Sequence, residues 1–249
     1  VFGLCVYRRG APLSVATVVG VIGIVLCLVI GLNFHPIYLS NSTWMWIIGV
    51  YILIASVAPV WILLQPRDYL SSFLLYGMMV IAAVGVIGAG LTGADAAHND
   101  MPAFTGWVDT ISATSLGTMF PALFVTIACG AISGFHSLVG SGTTSKQLDH
   151  ERDAKPIAYG GMLIECALAL ISLAAVSFIW QEYLAGDIRV PTQVFATGIS
   201  RMVASIPGLE ATQTTVASLL VLTVSAFCLT SLDTATRLAR YMFQEFWLK

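Results

Sequence analysis

The sequence predicts an all-α fold, a polytopic transmembrane bundle of about six spanning helices. Two observations carry this. Hydrophobic side chains make up 57% of the 249 residues and charged ones only 10%, with a mean hydropathy of +0.87, which leaves too little charge to cover a soluble domain of this length. The charges present are gathered into short stretches between long apolar runs, so the lipid bilayer is part of the solvent. Residues 1–249 are expected to form one transmembrane domain.

Taken in order, the apolar runs near 14–32, 43–64, 69–91, 119–140, 157–180 and 212–232 are each long enough to cross a hydrocarbon core. The second is flanked by Trp44, Trp46 and Trp61, and the fifth ends at Trp180, aromatic residues that suit the membrane interface. Placing successive connections on alternate sides separates the cations. Arg8, Arg9, Arg67, Lys146, Arg152, Lys155, Arg237, Arg240 and Lys249 fall on one side, and Arg189 and Arg201 on the other. The positive-inside tendency makes the first side cytoplasmic and puts both ends of the chain there. The segments after the third and fifth runs are too long for turns. Within the later one, Val194, Phe195, Ile199, Met202 and Val203 have helical spacing, which fits a short helix lying on the outer face or a re-entrant gate. The chain opens inside an apolar word and closes on a helical pattern without a stop signal, so it is expected to be part of a longer protein.

Composition also excludes. A net charge of −2, from 11 Lys and Arg against 13 Asp and Glu, with no basic stripe, leaves nucleic acid no electrostatic footprint. Cys5, Cys27, Cys129, Cys166 and Cys228 lack paired spacing and read as small buried hydrophobes, with no disulfide framework or metal site implied. No motif for a metalloprotease, an intramembrane serine nucleophile or a phosphate loop is present, so neither an enzyme nor a cofactor is expected.

Three ionisable residues occur where lipid should exclude them. Counting along helices places His136 in the inner third of the fourth span, Glu165 about 12 Å above the inner surface on the fifth, and Asp233 at the inner end of the sixth. Ionisable groups inside spans are costly and mark pathways or proton relays, which makes these three candidates for proton coupling. Each also has a structural reading. His136 and Glu165 can be held by packing, and Asp233 can pair with Arg237 one turn on or cap a following helix. Gly130 and Gly134 form a close-packing G-x-x-x-G spacing. Gly140 and Gly142, around Ser141 and before Thr143, Thr144 and Ser145, can unwind the helix and line a cavity with backbone and hydroxyl groups, or can simply mark a helix end and polar loop. Thr230, Ser231, Asp233, Thr234 and Thr236 form a second candidate break.

The words "FPALFVTIACGAISGFHSLVGSGTTSKQL", "IAYGGMLIECALALISLAA" and "SAFCLTSLDTATRLARYMFQE", in that order, closely resemble the carbon starvation protein A family of bacterial inner-membrane transporters. "HPIYLSNSTWMWIIGVYILIASVAPVWILLQPRDYLSSFLLYGMMV" is similar to that family's preceding region. The resemblance implies a proton-coupled secondary transporter that takes up peptides or pyruvate under carbon limitation, working with the remaining segments of a longer chain. On this reading Ser137, Ser141, Gly142, Thr143, Thr144, Lys146, Gln147, Thr230, Ser231 and Arg237 form the candidate substrate path, with Lys146 or Arg237 attracting an anion and protons handled by His136, Glu165 and Asp233. A membrane-embedded sensor or structural subunit working through partner contacts is the alternative.

The charge separation makes a direct topological prediction. In a cysteine-free background on intact cells, Asp149→Cys should be protected from a membrane-impermeant maleimide and Glu210→Cys should react; the reverse pattern would invert the assigned orientation.

Overall fold

The computed structural model describes residues 6, 12–34, 38–59, 62, 64–93, 101–108, 117–186, 188 and 190–247. The regular structure there is helical: α1 (Leu13–Asn33), α2 (Asn41–Val57), α3 (Leu64–Thr92), α4 (Phe124–Ala131), α5 (Gly134–Gly142), α6 (Glu151–Phe178), α7 (Trp180–Ala185), α8 (Pro191–Ala204) and α9 (Gln213–Trp247). An isolated bridge joins Val108 and Thr118. Five stretches are long and apolar enough to cross a membrane, namely α1, α3, Met119–Lys146, α6 and Glu210–Trp247, and α2 is a shorter apolar helix. The expectation of an all-α, polytopic helical fold holds, with five stretches of spanning length among the described residues where about six were expected, α2 being the shorter one.

Local chemistry sets the boundaries. Ser40 caps α2 by accepting the Thr43 amide at 3.3 Å, satisfying one of the donors that a helix start leaves open. The helix ends at Val57, short of the expected 64, because Ala58 precedes Pro59 and is extended at φ −61, ψ 143, as the steric demand of a following proline favours. Gly93, at φ +61, follows the end of α3 in the left-handed conformation that glycine adopts at little cost. The fourth span is broken, at Ile132 (φ −130, ψ 37) and Ser133 (φ −51, ψ 120). Gly140 and Gly142 lie inside α5, which unwinds only at Thr143. The second expected break does not occur: α9 runs unbroken through Thr230 to Thr236. Thr230, Thr234 and Thr236 instead donate to the Ala226, Thr230 and Asp233 carbonyls at 3.1, 3.1 and 3.0 Å, so the helix absorbs its own hydroxyls.

The chain forms two compact units, Val1–Met78 with Ser218–Lys249, and Met79–Ala217. In the first, Ala55, Leu220, Thr223, Asp233 and Arg237 are buried, and Thr17 of α1 meets the Tyr69 hydroxyl of α3 at 3.0 Å. In the second, α8 is the buried element. Val194, Ala196, Ile199, Ser200, Met202 and Val203 are all enclosed, so the helix expected between 194 and 203 is present and packs this face within the unit. It sits against α6 and the second half of α3 because small residues let backbones approach. A Cβ at Gly198 would lie 2.4 Å from the Ala175 carbonyl oxygen, and one at Gly85 would lie 2.9 Å from Val203 Cγ2.

Other expectations are corrected by burial. Trp180 is 8% exposed and stacks on Tyr183, so its ring packs within the unit. Cys27, Cys129, Cys166 and Cys228 are free and exposed on helix faces, where the sequence suggested buried hydrophobes, because the faces that carry them are turned away from the rest of the chain. Trp61, Arg8, Arg9, Arg189, Lys249 and Cys5 lie outside the described residues.

The approach at Gly198 gives a test. Gly198→Val must push α8 off the α6 backbone, costing about 1–3 kcal/mol, whereas Gly90→Ala meets nothing within 4 Å. Thermal melting in detergent should fall clearly for the first variant and stay near the parent for the second.

Candidate functional site

Asp233 lies roughly 30 Å along α9 from its start and is 0% exposed. A carboxylate shut away from bulk solvent must be paired or neutralised. Its Oδ2 receives the Tyr51 hydroxyl of α2 at 3.0 Å and Nη1 of Arg67, from the first turn of α3. Arg67 Nη1 also donates to the Tyr51 hydroxyl at 2.9 Å, and Nη2 reaches Asp68 Oδ1 at 3.4 Å. Three helices of one unit therefore meet at a single carboxylate oxygen. Asp233 Oδ1 and Arg67 Nε are buried without a hydrogen-bond partner.

Arg237 follows one turn later, 2% exposed. It neither pairs with Asp233 nor stands open to an anion, as the sequence had suggested. Its Nη2 donates to the Ala55 and Ala58 carbonyls at 2.9 and 2.8 Å, filling acceptors left over where α2 ends. Asp233 caps no following helix either, since α9 is continuous.

The remaining candidates belong to the second unit. His136 on α5 and Glu165 on α6 are exposed, and no hydrogen bond or ion pair joins them among the described residues. His136 makes a tilted ring contact with Phe135. Ser137 and Ser141 donate to the Ser133 and Ser137 carbonyls at 3.5 and 2.9 Å. Gly142 closes α5, Thr144 and Lys146 form a tight turn, and Gln147 ends it. Thr143 Oγ1 is buried without a partner, which marks it within this otherwise exposed stretch. In the first unit Thr230 is bonded to its own helix and Ser231 is exposed.

Sequence reasoning thus found Asp233 but missed Tyr51, Arg67 and Asp68 as its surroundings. Arg67 had counted only as a loop cation. The available signal was the Arg-Asp pair in "QPRDYL" at the head of an apolar run, where a charged pair inside a span asks for a partner.

A buried acid linked to an arginine and a tyrosine, with the acid and the arginine on apolar helices long enough to cross a bilayer, defines a multi-pass membrane protein with an ionisable centre. The family model for the carbon starvation protein CstA matches residues 1–189 and 180–249, and the chain belongs to that family. It is 30% identical to the peptide transporter CstA of Bacillus subtilis, over 97% of this chain and 45% of that protein. It is 47% identical to the peptide transporter CstA of Escherichia coli, over 54% of this chain and 18% of the relative. The pyruvate/proton symporter BtsT of Escherichia coli is 40% identical over 65% of this chain and 23% of its own length. The chain thus spans less than half the length of each of these relatives. No solved structure matches it.

The pairing predicts asymmetric stability. Arg67→Ala leaves the Asp233 charge buried and should cost about 3–5 kcal/mol, read as a large fall in detergent melting temperature. Combining it with Asp233→Asn should restore most of the loss; equal melting of the single and double variants would show that the charge pair is not what holds these helices.

Proposed function

We propose that this chain is part of a proton-coupled symporter that imports peptides or pyruvate across the bacterial inner membrane, with both ends of the segment cytoplasmic and Asp233 carrying the coupled proton. The observation behind this reading is a fully enclosed carboxylate on a membrane-crossing helix, with one oxygen committed to Tyr51 and Arg67 and the other without a partner. Such a group alternates between two states that differ by a full charge. A proton on Oδ1 removes the ionic part of its attraction to Arg67, and its loss restores it. The names of the relatives, peptide transporter and pyruvate/proton symporter, support a small-molecule cargo and proton coupling.

His136 and Glu165 take the place of relay groups in this proposal. Both sit on spanning segments and are exposed, open to lipid or to the remaining segments of the full-length protein. The stretch Ser137 to Gln147, with the break at Ile132 and Ser133 before it, supplies backbone and hydroxyl groups to the substrate path.

The test is uptake of labelled pyruvate and a labelled dipeptide into proteoliposomes containing the full-length protein, with and without an imposed proton gradient. The parent should show gradient-stimulated uptake of one cargo. Asp233→Asn should lose that stimulation by about tenfold or more while remaining extractable and folded, and Glu165→Gln should be reduced as well. Undiminished stimulation in Asp233→Asn would remove it from coupling.

A further inference from the structure

The cluster pairs its proton-accepting group directly with a cation that has unused donors. Arg67 spends Nη1 on Asp233 and Tyr51, holds Asp68 only at 3.4 Å through Nη2, and leaves buried Nε without a partner. A guanidinium presents Nε and Nη2 as one edge that fits a carboxylate with two parallel hydrogen bonds. Nε of Arg237 and of Arg240 is likewise buried without a hydrogen-bond partner, but Arg237 Nη2 is committed to two backbone carbonyls, so its edge is not open to a carboxylate, and Arg240 makes no contact with Asp233 among the described residues. Arg240 extends over the Tyr241 ring, 5.0 Å from its centroid.

We propose that Arg67 is the anchor for the substrate's carboxylate and that a proton on Asp233 uncovers it. The proposal rests on the symport reading above and adds the chemical class recognised: a free carboxylate, supplied by pyruvate or by the C-terminus of a short peptide.

Charge accounting gives the coupling. The ionisable groups around the acid are Tyr51 from α2, Arg67 and Asp68 from α3, and Arg237 on its own helix. With Tyr51 neutral and Asp233 ionised, Arg67 and Arg237 balance Asp68 and Asp233. A further carboxylate then makes the site net negative in a weakly screening interior, which is unfavourable. With Asp233 protonated the same site is one charge positive, and an incoming carboxylate restores neutrality. Asp233 Oδ1, having no partner, takes the proton without first breaking a bond. The Arg67 side chain is 21% exposed while its Nε is buried, so loosening Nη1 is what lets this closed edge turn outward. Proton and substrate then arrive together or not at all.

Equilibrium binding to the full-length protein in detergent separates this from the transport question, since no gradient is involved. Pyruvate and dialanine are titrated against pyruvamide and dialanine amide by intrinsic fluorescence at about pH 5.5 and about pH 8. For wild type, one of the two acids should bind about tenfold or more tightly at the lower pH, and its amide should not bind. Asp233→Asn should bind that acid with the tighter constant at both pH values. Asp233→Asn with Arg67→Gln, which leaves no buried charge uncompensated, should fold but lose the acid. Binding of the acid by the double variant, equal binding of acid and amide, or no binding of either acid by wild type would each overturn the proposal. If gradient-stimulated uptake is absent while the binding pattern holds, the symport reading fails and the carboxylate site stands.

Discussion

Everything in the unit formed by the first 78 residues and the end of the chain turns on where the Asp233 carboxylate goes. It is fully enclosed, and an isolated charge in a low-dielectric interior costs several kcal/mol, so its position dictates which helices approach. Oδ2 draws in Tyr51 and Arg67 from two other helices. Because Asp233 and Arg237 lie one turn apart on the same face of α9, the geometry that buries the acid also delivers Arg237 to the end of α2. Thr234 and Leu238 are buried beside them. A largely polar face, with Leu220 and Leu238 beside it, seats α9 among its neighbours.

The other unit is organised by steric means. Its central element, α8, carries apolar and small residues, and its close approaches are made at Gly198 and Gly85. An ion pair between Arg201 and Glu182 ties α8 to α7, at the partly exposed margin where such pairs contribute little. One unit is therefore held by a few directional bonds that depend on charge state, and the other by close contact that does not.

The helical, membrane-crossing character was legible in composition alone, because apolar runs of spanning length have few other uses. Where the reading failed, it failed on competition between local signals. Gly140 and Gly142 suggested a break, yet a helix tolerates glycine, and the break falls at Ile132 and Ser133, where the residue types give no warning. The hydroxyls around Thr230 suggested unwinding, but those of Thr230, Thr234 and Thr236 had acceptors within one turn back. Pro59 did end α2 early, by a rule that was available but outweighed by the apolar run. At the site, Asp233 stood out as an acid at the end of a span. Its partners lie 182 and 166 residues away in the chain, and no local spacing encodes a pairing at that distance.

The contact of Arg237 with the last carbonyls of α2 has a mechanical meaning. The two acceptors, Ala55 and Ala58, lie on either side of the point where the helix stops, so one guanidinium holds both the final turn and the chain leaving it. Sliding α9 by one residue moves it 1.5 Å and rotates its side chains by about 100°, enough to carry the guanidinium off both oxygens. Arg237 therefore works as a key in a slot. It sets the axial register and rotation of α9 against α2, so that any opening at Asp233 must proceed by side-chain exchange or by tilting the keyed helices together.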